Sequence, residues 1–169
     1  TNSGVGKTTL TIGLMAALQQ KGLRVQGFKC GPDYIDPSFH KAVTGRPSRN
    51  IDSFMFEADV VRDIVRRATQ DSDVGIIEGV MGFYDGKDPL SDVGSTADIA
   101  VMTETPVVLV VNCGAMARSA AAIVKGFQLL SDKPNIVAVI ANQVGSASHF
   151  NIVKTAIEAE CDVPVIGYL

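Results

Sequence analysis

The sequence predicts an α/β domain in three layers, a mostly parallel sheet with helices on both faces. Three observations lead there. The runs VGII from Val74, PVVLVVN from Pro106 and IVAVIAN from Ile136 are apolar without alternation, as strands buried on both faces are. Helical patterns separate these runs, which is the order of a sheet built from crossovers. At 169 residues the chain has about the length of one domain, and it contains no internal repeat or low-complexity tract.

The elements follow in order. Thr8 to about Gln20 carries Leu10, Leu14, Ala17 and Leu18 at helical spacing and stops near Gly22. Residues 24–29, RVQGFK, read as a strand, and residues 31–50, rich in Gly, Pro, Asp and Ser, as a loop. Glu57 to Thr69 places Val60, Val61, Ile64 and Val65 on one helical face. The strand from Val74 ends in a carboxylate, Glu78. Strands at 106–112 and 136–142 flank a helix from Ser119 to Leu130. A helix from His149 to Glu160 precedes a closing strand, PVIGYL. Right-handed crossovers then gather the ligand loops at the carboxyl ends of the strands.

Composition narrows the function classes. The chain is 46% hydrophobic with a net charge of −3, which argues against a nucleic-acid surface, since a basic stripe is the usual footprint of one. Cys30, Cys113 and Cys161 show no CxxC or Cys/His spacing, so buried thiols are expected rather than zinc or disulfides. No apolar run reaches the length of a membrane span and no signal-like segment is present. The expectation is a soluble, cytoplasmic protein with no nucleic-acid or membrane partner.

The opening stretch, TNSGVGKTTL, reads as the closing half of a phosphate-binding loop. Gly4 and Gly6 allow a tight turn around Val5 that points successive N–H groups at phosphate oxygens. The helix behind them adds the positive end of its dipole. Lys7 supplies an ammonium for the β- and γ-phosphates, and Thr8, followed by Thr9, a hydroxyl for magnesium. The strict GxxxxGK[ST] spacing requires glycine at position 1, where Thr1 stands. The expected loop is therefore one residue longer, with its first glycine and the strand behind it upstream. The guanine-reading NKxD pattern is absent. Asn142, at a strand end, offers donor and acceptor to an adenine edge, or serves the turn that follows; the reading favours ATP.

Two further stretches carry carboxylates to the same sheet edge. In FKCGPDYIDP, Lys29 closes a strand and Asp33 and Asp36 lie in the loop beyond it. Lys29 can neutralise a transferring phosphoryl group, and either aspartate can hold Mg²⁺, although a Pro-Asp-x-x-Asp-Pro loop also fits plain turn chemistry. In IIEGVMGFYDG, a strand delivers Glu78 where phosphate-loop proteins often hold the metal, with Asp85 seven residues on.

Taken together, GVGKTT, FKCGPDYIDPSFHKAVTGRPSRNIDSFM, IIEGVMGFYDG, GSTAD, MARSAAA and NQVGSASHF resemble the amino-terminal synthetase domain of the cobyrinic acid a,c-diamide synthase family. The resemblance runs from Thr1 to Leu169, and GPDYIDP is its most specific piece. It implies a dethiobiotin synthetase-like P-loop NTPase fold and an ATP-dependent amidoligase. That enzyme activates a peripheral acetate of a corrinoid or related tetrapyrrole as an acyl phosphate, and ammonia from a carboxyl-terminal glutaminase domain displaces the phosphate. On the family pattern Thr8, Asp33 and Glu78 are metal ligands. Asp36 and Asp85 act in substrate activation or ammonia handling, beside Lys7 and Lys29. Tyr34 and Ile35 touch the substrate, with Ser119 and the GSTA loop as weaker candidates. Residues 1–169 would then be the synthetase domain, without its first strand and without the glutaminase domain, and a homodimer is left open. His40 and His149 are read as a loop residue and a helix-cap residue.

The chain departs from the family where Gln143 replaces a common arginine and where Asn112-Cys113-Gly114-Ala115 replaces Asp-Ala-Ser-Gly. Two rival readings remain. A dimerising ATPase switch of the ParA/MinD type shares the loop but carries a second lysine five residues before the loop lysine, where Asn2 stands, and has no GPDYIDP. A synthetase-like sensor would bind ATP without amidating anything.

Overall fold

Six helices and six strands alternate along the chain in the computed structural model, which describes residues 1–169. They fall into two units, Asn2–Thr103 and Glu104–Leu169, the latter including Thr1.

In the first unit α1 (Lys7–Gln20), β1 (Val25–Cys30), α2 (Ile35–Thr44), β2 (Arg49–Ile51), α3 (Ala58–Thr69), β3 (Val74–Glu78) and α4 (Thr96–Met102) follow one another. The strands form a parallel sheet in the order β2-β1-β3. All six residues of β1 are buried, as a central strand covered on both faces demands. Its core gathers Phe28, Cys30, Ile51, Val61 and Ile99, with Ile64, Val65 and Ala68 of α3 and Ile77 and Val80 packed around them. Each such side chain withdrawn from water contributes about 1.5–3 kcal/mol before entropy is counted. The register sets Lys29 opposite Glu78 on one side and Asn50 on the other, so the carboxyl end of this sheet carries a cation and an anion side by side.

In the second unit β4 (Val107–Asn112), α5 (Ser119–Leu130), β5 (Ile136–Asn142), α6 (Ala147–Cys161) and β6 (Val165–Tyr168) form a parallel sheet in the order β4-β5-β6. Phe150 stacks on Tyr168 with ring centroids 4.3 Å apart, and the Thr1 backbone nitrogen donates to the Val110 carbonyl of β4 at 2.7 Å.

The α/β class and the parallel strands stand as the sequence predicts, but three details differ. Pairing closes within two three-stranded sheets, since β3 and β4 each bond on one side only. The stretch read as a loop at 31–50 holds α2 and β2. Pro37 there sits in the first turn of α2, where its missing N–H costs nothing, and Gly45 ends the helix in the left-handed conformation. The GSTAD segment, read as a loop, starts the seven-residue helix α4. The three cysteines are free and buried. No helix is long and apolar enough to cross a membrane.

Candidate active site

The first unit assembles its site at the amino end of α1. Gly4 and Gly6 sit at φ 76° and 93°, the left-handed region that glycine enters without a steric penalty. Between them Val5 is wholly buried and anchors the loop. Gly6 caps α1 with no side chain donated to the helix end. The first N–H groups of a 14-residue helix are thus left facing a cavity of about 400 Å³, lined by the loop together with Lys7, Thr8, Lys29, Glu78 and Met81. A helix end of this kind attracts anions.

Lys7 donates to the carbonyls of Met81 at 2.7 Å and Asn2 at 2.9 Å. Burial, and then the charge of Lys29, lower its pKa. Lys29 is 4% exposed and donates to Asp36 at 2.6 Å, to Glu78 Oε1 at 3.0 Å and to the Gly79 carbonyl at 3.2 Å. Burial works against its charge, but the Asp36 hydrogen bond and the Glu78 carboxylate outweigh it and raise its pKa. Glu78, 2% exposed, feels the same burial. Hydrogen bonds from His40 and Thr8 and the Lys29 charge overcome it and hold the carboxyl down at about 2. The Thr8 hydroxyl lies 2.6 Å from Glu78 Oε1 and 3.3 Å from Asp36.

The structure therefore brings Lys7, Thr8, Lys29, Asp36 and Glu78 together. Asp33 stands further out. Its Oδ1 accepts from the N–H groups of Ile35 and Asp36, capping α2, and its Oδ2 is 3.8 Å from Lys29. Asp85 accepts from Gly82 N–H at 2.8 Å and acts on Lys7 through its charge. Thr9 lines the phosphate-side cavity. Tyr34 and Ile35 are 88% and 67% exposed and wall a second cavity of about 370 Å³ with Gly31, Pro32 and Val80. Asn142 and Ser119 belong to the second unit. Asn142 ends β5 and its Oδ1 accepts from Gln143 N–H, while Ser119 opens α5 in a cavity with Arg118, Lys125 and Glu160.

No group of three or more His, Cys, Asp or Glu side chains is arranged to hold a metal ion. That donor set still fits Mg²⁺ carried on a polyphosphate, which takes one or two protein oxygens and draws the rest from phosphates and water. Thr8 Oγ1, Asp36 and Glu78 Oε1 lie within bonding distance of one another or of Lys29 and would hold it.

Three supporting residues escape the sequence reading. His40 is fully buried, 2.7 Å from Glu78 Oε2 and 3.0 Å from Ser48 Oγ, and is no loop residue. Asn50 ties down the Gly31 and Asp33 carbonyls. Thr96 both donates to the Val80 carbonyl and accepts from Val80 N–H, bracing the chain just past Glu78. A side chain on Gly79 would come within 2.8 Å of the Thr96 methyl, so the brace needs glycine there. His149 is not the cap of α6 that the sequence suggests: Ser146 holds that place and accepts the His149 N–H, while His149 lies in the first turn and its Nδ1 accepts from Gly145 N–H.

Left-handed glycines that hand a helix end to an anion, with a lysine and a hydroxyl at its first turn, define a P-loop nucleotide-binding protein. The model of the CobQ/CobB/MinD/ParA nucleotide binding domain matches residues 1–169, and the chain belongs to that family. It is 69% identical over 169 residues to the cobyrinate a,c-diamide synthase of Priestia megaterium, covering all of this chain and 37% of that protein. The proteins of the same name from Listeria monocytogenes serotype 4b (strain F2365) and Picrophilus torridus are each 49% identical, over 99% and 98% of this chain and 37% and 38% of their own lengths. The chain thus spans little more than a third of the relatives it matches. Among solved structures, the signal recognition particle receptor FtsY of Elizabethkingia anophelis superposes with a TM-score of 0.69 at 21% identity, over 97% of this chain and 55% of that one. Chloroplast FtsY of Physcomitrella patens gives 0.62 at 18%, over 98% and 54%. These two likenesses concern the fold alone.

Proposed function

We propose that this chain is the ATP-binding part of a cobyrinate a,c-diamide synthase, activating a peripheral carboxylate of cobyrinic acid or a related tetrapyrrole for amidation. The observation that carries the reading is the place of Lys29. It is buried in register with Glu78 at the phosphate-side cavity, immediately ahead of the segment that walls the Tyr34/Ile35 cavity. A switch that only hydrolyses a nucleotide has no need of a second, acceptor-side cavity. The relatives' shared name supports the substrate class.

A carboxylate is a poor acyl electrophile because its leaving group would be oxide. The carboxylate oxygen attacks the γ-phosphorus of ATP, ADP departs, and the acyl phosphate so formed loses phosphate when ammonia attacks the acyl carbon. The obstacle is bringing two anions together, and Lys7 and Lys29 neutralise and align them. The loop N–H groups would hold the phosphates, while Thr8, Glu78 and Asp36 or Asp33 would hold Mg²⁺. The bound Mg²⁺ supplies further charge neutralisation on the phosphates. Asp85 stands within electrostatic reach of Lys7 and serves the ammonia step or substrate activation. Tyr34 and Ile35 present an apolar edge to the macrocycle. Asn142 and Ser119 are assigned the adenine and an outer substrate contact. The rest of the protein supplies a glutaminase domain as the ammonia source, in a cytoplasmic setting and with room for a homodimer.

The test is ADP release by the full-length protein with Mg-ATP, ammonium and cobyrinic acid, beside Glu78→Gln. Corrinoid-dependent release with matching amide, lost in the variant, is the expected result. ATP turnover indifferent to the corrinoid would replace this reading with a switch.

A further inference from the structure

We propose that His40 is the positioning residue of this site, fixing one oxygen of Glu78 so that the other faces the cation. The inference rests on the reading of Glu78 as the metal-side carboxylate. A carboxylate at the end of a glutamate turns about a soft terminal torsion, and Glu78 has two oxygens to present. The structure divides them. Oε2 meets His40 Nε2 at 2.7 Å, while Oε1 meets Thr8 at 2.6 Å and Lys29 at 3.0 Å. An ionised carboxylate only accepts, so Nε2 carries the hydrogen and donates it. Ser48 Oγ, 3.0 Å from Nδ1, can donate or accept and satisfies the second nitrogen in either state of the ring.

The ring is held as firmly as the carboxylate. His40 is fully buried in α2. A side chain on Gly27 of β1 would stand 3.1 Å from the His40 Cβ and the Met15 methyl, so β1 leaves only the space the imidazole fills. His40 lies four residues after Asp36, on the same helical face. One helix therefore delivers both Asp36 to Lys29 and His40 to Glu78, and the arrangement of α2 sets which Glu78 oxygen is on offer. Hydrogen bonds that orient a ligating carboxylate govern metal affinity as the ligands themselves do.

The experiment uses the full-length protein with Mn²⁺ and ATP, read by electron paramagnetic resonance, beside ATP binding in EDTA, thermal unfolding and steady-state kinetics. His40→Leu should weaken Mn²⁺ in the ternary complex by roughly 10–100-fold, leave metal-free ATP binding near its original value, and lower kcat more than it changes KM for ATP. His40→Gln, whose amide N–H can reach the place of Nε2, should recover most of the Mn²⁺ affinity. Ser48→Ala, which keeps the ring and removes its second partner, should fall between them and stands in if His40→Leu does not fold. Unchanged Mn²⁺ affinity in these variants overturns the proposal. So does an equal loss of metal-free ATP binding, or a folded His40→Gln no better than His40→Leu. If the unaltered protein fails to bind Mn²⁺ with ATP, the proposed function falls and takes this inference with it. Binding unaffected by the variants removes this inference alone.

Discussion

Replacing Lys29 by Met tests whether the buried charges at the end of β1 and β3 hold the first unit together. Glu78 is 2% exposed and is held from its ordinary 4.5 down to about 2. At about 1.4 kcal/mol per tenfold change in proton affinity, that depression corresponds to about 3 kcal/mol of folding free energy at neutral pH. Lys29 shares it with His40 and Thr8, so only part of it belongs to the lysine. Its charge-assisted hydrogen bond to Asp36 adds about 1.5 kcal/mol or more. The expected loss at pH 7 is therefore about 3 kcal/mol, in line with the ~3–5 kcal/mol seen when one partner leaves a buried pair. The sign in acid follows from the depressed pKa. The stabilisation from Glu78 is complete above 4.5 and disappears as pH falls through about 2. In Lys29→Met the carboxyl protonates at a higher pH than in the parent, so the gap between variant and parent should narrow in part by pH 3 and further as pH falls toward about 2. Urea unfolding at pH 7 and pH 3, with the slope checked for constancy, measures both. A loss under about 1 kcal/mol at pH 7, or a gap of equal size at the two pH values, would refute the assignment of these charges to stability.

Other expectations are simpler. Thr8→Val keeps the shape and removes the hydroxyl, so calorimetric affinity for Mg-ATP should fall at least about tenfold while metal-free ATP changes little. Gly6→Ala, at φ 93°, should cost about 1–2 kcal/mol in urea unfolding and abolish nucleotide binding, and full binding by this variant would contradict the loop reading. Gly79→Ala, whose methyl would meet the Thr96 methyl at 2.8 Å, should destabilise by about 1–3 kcal/mol. Adding Thr96→Ser, which removes that methyl and keeps the hydroxyl on Val80, should restore part of the loss.

Much of the site was legible because its chemistry is local. Gly4, Gly6, Lys7 and Thr8 announce themselves by spacing, and the end of an apolar strand announces Lys29 and Glu78. What stayed hidden depends on neighbours distant in sequence. The stretch carrying His40 looks like a loop because Pro, Asp and Gly punctuate it, and only the packing of α2 on β1 shows that Pro37 sits harmlessly in a first turn. Nothing in the spacing of His40 and Glu78 says they touch; the sheet register and a glycine at 27 bring them together. Asp33 and Asp36 look interchangeable in the sequence, yet one caps a helix while the other bonds Lys29. Helix α4 is too short for its period to show, and its role as the brace of Val80 appears only in three dimensions.

Val80 lines both the phosphate-side cavity and the one beside Tyr34 and Ile35, and Thr96 grips it at both its N–H and its carbonyl. The two cavities thus share Val80, whose main chain is tied to α4 at both its polar groups. On the proposed function, the bulk of Val80 would act as a gauge, setting how far an acceptor on one side stands from a phosphate chain on the other. A bulkier residue at 80 would widen that separation without touching a charged group, and a smaller one would let the two ligands slip past their reactive alignment. On that function, the spacing of the reacting atoms would depend on an uncharged side chain.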